Sequence, residues 1–168
     1  MATTLRDMLR NSVLHECSTI QHLYSKIPEG GMDYRPTEEQ RTTLELLRYI
    51  ATVGEASTTC ILNGGWDAYP EIAGRSKDMS ADQFPQHMDK QITNLEEIFS
   101  KLTDEDLTTR KAKHVTGDEF SLAEGILEIP LKWLTGYRMQ LFLYAKQAGN
   151  TSINTANNWI GVDSKKKD

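Results

Sequence analysis

Pro130–Gly149 reads PLKWLTGYRMQLFLYAKQAG, the most continuously apolar part of the 168-residue chain. Ser121 with Glu124 three residues on is a capping-box start, so the helical pattern opens there and runs to about Ala148, with Gly149 as its stop. Ile126, Leu127, Ile129, Leu131, Trp133, Leu134, Leu141, Phe142, Leu143 and Tyr144 place apolar groups on nearly every side. A helix of that kind is expected to lie buried among others. Pro130 sits inside it without an N–H, which predicts a bend.

Three more amphipathic stretches are laid out before it. The first spans about Thr4 to Ile27, with Leu5, Leu9, Val13, Ile20, Leu23 and Ile27 on one stripe. Glu16 projects into that stripe and needs a hydrogen bond, a counter-charge or a proton. The second starts at the Thr42/Glu45 capping box and runs to about Leu62, where Asn63-Gly64-Gly65 stops it. The third follows a Ser80/Gln83 capping box to about Leu102. Asn63–Met79 is expected to be a loop whose Trp66, Tyr69 and Pro70 pack on the domain, cover a pocket mouth or meet a partner. Thr103–Phe120 reads as a polar connector with an extended centre at most.

These elements predict an all-α protein, a four-helix bundle with long connections. Residues 1–149 form the bundle, and 150–168 a tail that Trp159, Ile160 and Val162 draw partly back onto it.

The net charge of -5 argues against a nucleic-acid surface. Lys165–Lys167 reads as a solvated basic end. No apolar run approaches the roughly 18 residues of a membrane span, and MATTLRDMLR lacks the apolar core of a signal peptide. Two cysteines, Cys17 and Cys60, make no disulfide framework, so a reducing cytoplasmic setting is expected. There is no GxGxxG, P-loop, GxSxG or HExxH motif. His15 and His22 stand two helical turns apart, roughly 10 Å, too far to share one metal unaided. His87 and His114 are isolated. No catalytic residue can be named from motifs.

One pattern goes further. RPTEEQRTTLELLRYIA (residues 35–51), then the last helix with WLTGYRMQL (133–141) and Gly149, resembles the DinB/YfiT-like family of four-helix proteins. The ending NTANNWIGVD (154–163) is also similar to tails in one branch of it. The resemblance covers essentially the whole chain. It implies a helical bundle, a homodimer, and a three-histidine metal site used in transfer chemistry on low-molecular-weight thiols.

At the three matching positions this chain has Tyr49, Trp133 and Tyr137. Trp133 and Tyr137 keep the i, i+4 spacing of a chelating pair. Indole has only an N–H donor, however, and a neutral phenol is a poor ligand beside imidazole. No metal and no other cofactor is therefore expected. Tyr49, Trp133, Tyr137, Glu16 and Arg138 form the candidate binding site, either packed solid or lining a pocket for a small molecule, with Glu16 a ready acceptor for the buried phenols. The alternatives are a thiol S-transferase holding its metal through His15, His22 or Glu16, and a metal-independent enzyme using Glu16 as a buried acid.

Overall fold

A computed structural model describes residues 3–114 and 116–164; Lys165–Lys167 fall outside them. Four long helices carry the fold: α1 (Leu5–Tyr24), α2 (Thr43–Asn63), α4 (Phe84–Ser100) and α7 (Lys132–Gln147). Each packs on two others, in the closed order α1, α4, α2, α7. The stripes read from the sequence meet inside this ring, where Val13, Ile20, Leu46, Ile50, Ile61, Met88, Leu95, Leu134 and Leu141 are sealed from solvent.

The starts follow local chemistry. At α2 the Thr42 N–H donates to Glu45 Oε2 at 2.7 Å, and Glu45 N–H donates back to Thr42 Oγ1 at 3.2 Å. Gly64, at φ +68°, closes the same helix. The start of α1 is held from a distance: Asp104 accepts from the N–H groups of Leu5 and Arg6, a negative group at the positive end of the helix.

Several connections hold more structure than expected. Asn63–Met79 contains a short helix, α3 (Tyr69–Gly74). The connector after α4 holds α5 (Asp104–Thr109) and a hairpin, in which β1 (Lys111–Lys113) pairs antiparallel with β2 (Glu119–Ser121) and Ala112 faces Phe120. These segments bury one apolar side chain each, Ile72, Leu107 and Ala112, which is too little to leave a period in the sequence.

The last helical segment is continuous but changes its winding at Pro130. α6 (Leu122–Ile126) passes into a π-helical turn at Leu127–Leu131 around Pro130 before α7 begins. Proline removes the N–H that an α-helical ladder needs there. Nor is the segment buried all round: Leu127 and Leu143 are exposed.

After Gly149 the chain returns along α1 as α8 (Thr155–Trp159). Of the expected apolar trio, Ile160 and Val162 face solvent, while the half-exposed Trp159 lies over Arg138 of α7. Ile153, Asn157 and Asn158 are the buried residues of the tail. Gly161, at φ +72°, lies against α1, and a side chain there would meet Thr19 Cα at 3.2 Å.

Candidate functional site

The structure divides the five sequence-predicted site residues between two places. Tyr137 and Arg138 are neighbours on α7, and successive helical side chains point about 100° apart. One therefore faces α2 and the other α1.

Tyr49, Trp133 and Tyr137 belong to the first place. Tyr137 packs edge-on against Tyr49, with ring centroids 4.8 Å apart. The Asn63–Met79 connection brings two further rings. Trp66 stacks on Trp133 and on Tyr69, each at 5.7 Å between centroids. The hydroxyls of Tyr69 and Tyr49 share a hydrogen bond of 3.0 Å. Five partly buried aromatic side chains thus form one chain of contacts, Trp133, Trp66 and Tyr69 through their rings, Tyr69 to Tyr49 through their hydroxyls, and Tyr49 to Tyr137 through their rings. Over the Tyr49 ring lies the Arg41 guanidinium, 4.5 Å from the centroid. Trp66 and Tyr69 were legible as aromatics in a long loop. Arg41, two residues before α2, carried no signal of its role.

Burial, then the Tyr69 hydrogen bond, hold the Tyr49 phenol well above its ordinary value. Burial raises Tyr69 as well. Cys60 has its thiol raised by burial and by the Asp67 charge. On α1, burial pushes the Cys17 thiol up to about 12. None of these groups is an activated nucleophile at neutral pH.

Glu16 and Arg138 belong to the second place. Arg138 is 1% exposed and its Nε donates to Glu16 Oε2 at 2.5 Å. Its Nη1 donates to both oxygens of Asn158, the backbone carbonyl and Oδ1, the latter at 2.7 Å. Trp159 covers the guanidinium, with the carbon centre 4.4 Å from the ring centroid. Its indole is 51% exposed, so it lids the ion pair from the solvent side. Glu16 thus takes a core arginine as its partner, one of the core partners its place on the apolar stripe implied, rather than the buried phenols.

The two α1 histidines are also taken up by the tail. His15 Nε2 lies 2.9 Å from the Trp159 carbonyl. His22 Nε2 meets the Asn157 amide at 3.0 Å, with Asp163 at 3.7 Å. Burial and Lys26 lower the His22 pKa, against Asp163. Among the described residues no three His, Cys, Asp or Glu side chains come together as a metal would require. At the three positions that resemble metal ligands, an indole and two phenols, one of them held firmly protonated, do not fit a divalent ion.

A likeness in backbone architecture accompanies this geometry. A solved structure of a DinB-like protein, YjoA from Bacillus subtilis, superposes with a TM-score of 0.66 at 18% identity, over 84% of this chain and 92% of that one. The chain has the DinB-like fold. No protein-family model and no curated protein sequence matches it. Within the DinB-like fold, the aromatic cluster lies where α2, α7 and the connection after α2 meet, and the Arg138 pair lies where α7, α1 and the tail meet. No described helix is long and apolar enough to cross a membrane.

Proposed function

We propose that this DinB-like protein works without a metal, as a small-molecule binding protein whose site is the aromatic cluster around Tyr49. The observation that supports the reading is the convergence of Tyr49, Trp133 and Tyr137 with Trp66 and Tyr69 into one group containing no imidazole and no carboxylate. Rings of this kind supply apolar walls, and the Tyr hydroxyls supply a few polar contacts. The ligand is placed on the outer side of the cluster, where the Arg41 guanidinium lies over the Tyr49 ring. Arg41 marks that side: it touches the Tyr49 ring and also lines a cleft of about 400 Å³ with Arg35, Glu38, Glu39, Gln40 and Glu45.

Metal analysis of the purified protein after dialysis tests the first half of the proposal. Substoichiometric zinc, nickel, iron and manganese is the expected result. A tightly held stoichiometric metal would instead favour the thiol S-transferase alternative. Fragment binding followed by the fluorescence of Trp66 and Trp133 tests the second half. A homodimer in a reducing cytoplasmic setting completes the proposal. Sedimentation at micromolar concentration decides the dimer.

A further inference from the structure

We infer that the ligand class of this site is an organic cation, an alkylammonium or guanidinium compound, and that Arg41 is its built-in stand-in. The inference rests on the reading of the aromatic cluster as a binding site. A cation over the face of a tyrosine is attracted by the negative face of the ring. Arg41 occupies that place over Tyr49, 4.5 Å from the centroid.

What holds Arg41 there is the ring. The residue is exposed, and among the described residues the contact given for its guanidinium is the Tyr49 ring. Such a guanidinium is readily displaced by another cation.

The ring beneath it is fixed. Tyr49 packs against Tyr137 with ring centroids 4.8 Å apart, and its hydroxyl is tied to Tyr69. A cationic ligand therefore meets a surface that needs no ordering. Burial and the Tyr69 bond keep the Tyr49 phenol neutral at physiological pH, so attraction comes from the ring face and not from a phenolate.

The adjoining cleft carries three carboxylates, those of Glu38, Glu39 and Glu45, and two guanidinium groups, those of Arg35 and Arg41.

Choline chloride and its neutral isostere 3,3-dimethylbutan-1-ol test the inference, titrated by calorimetry and tryptophan fluorescence into the full chain and its variants. Arg41→Ala removes the competitor from an exposed position. It is expected to bind choline about fivefold tighter than the unaltered protein, the scale of one cation–π contact. Tyr49→Phe in the Arg41→Ala background keeps the aromatic face and is expected to keep that affinity; Tyr49→Leu is expected to lose it. Choline binding that Arg41→Ala leaves unchanged overturns the inference, whatever the folding of the Tyr49 variants. If the neutral isostere binds as tightly as choline, the cation class falls while the binding site stands. If neither compound saturates any variant, both fall.

Discussion

Arg138 and Glu16, 122 residues apart in sequence, meet inside the fold with Nε donating to Oε2 at 2.5 Å. The pair ties the last long helix to the first, and Asn158 and Trp159 close over it. Removing one member leaves the other buried without a counter-charge. Arg138→Met is therefore expected to lose about 3–5 kcal/mol of unfolding free energy. Combining it with Glu16→Leu is expected to restore a substantial part, because no uncompensated charge remains. Urea unfolding of the two single variants and the double variant measures this. A double variant as unstable as the sum of the singles would contradict it.

His22 makes the tail sensitive to acid. Its pKa is lowered in the folded chain, so folding favours the neutral ring. That contribution is present above the unfolded value of about 6.5 and is lost as pH falls through the lower folded value. A protonated Nε2 can no longer accept from Asn157. Asp163 has a lowered pKa of its own and stays charged through this window. Amide exchange in residues 150–164, corrected for intrinsic rates, is expected to speed up between about pH 7 and pH 5 relative to α2. His22→Gln keeps an acceptor for Asn157 and is expected to flatten the response.

The aromatic cluster gives the opposite limit. Folded Tyr49 and Tyr69 have raised pKa values, so their stabilising contribution is complete below the ordinary phenol value of about 10 and falls as pH climbs beyond it. The urea midpoint is expected to drop between pH 9 and pH 11, and less steeply in Tyr49→Phe. Absorbance titration at the phenolate band is expected to show two tyrosines that ionise only as the protein unfolds. Phenolate signal from all six tyrosines in the folded protein would refute this.

Gly54 is a helix-interior glycine with a packing reason. Gln91 is buried on α4, and its Oε1 accepts from the N–H groups of Gly54 and Glu55, at 2.8 and 3.1 Å. Its Nε2 donates to the Ile50 carbonyl. An alanine at position 54 would bring its methyl to 3.1 Å from both Gln91 Oε1 and Leu134 Cδ1. The helix-propensity gain of Gly→Ala is about 1 kcal/mol. Because three hydrogen bonds pin the amide, overpacking of about 1–3 kcal/mol outweighs it. Gly54→Ala is thus expected to lower stability, by about 1 kcal/mol on balance; a gain in a thermal or urea melt would refute the argument.

The elements with a full helical period were readable. α2 begins where Thr42 and Glu45 box its first turn, and Pro130 changes the winding of the last segment where its missing N–H falls. The separation of Tyr137 from Arg138 was also in the sequence, since neighbours on a helix point to different faces. Grouping them as one site overlooked that spacing. The hairpin of Lys111–Lys113 with Glu119–Ser121 was not readable, because strands of three residues are too short to show alternation.

By itself the sequence determined an all-α chain of four long amphipathic helices, and the aromatic chemistry of the positions that resemble metal ligands. Side-chain period, caps and functional groups are local properties, carried by residues within a turn or two of each other. The tertiary structure alone decided that Trp66 and Tyr69 join Tyr49 and Trp133, that Arg41 lies on the Tyr49 ring, and that Glu16 spends its charge on Arg138. Those contacts are made when helices distant in the chain pack their buried faces together, and no local spacing records which partner each face will meet.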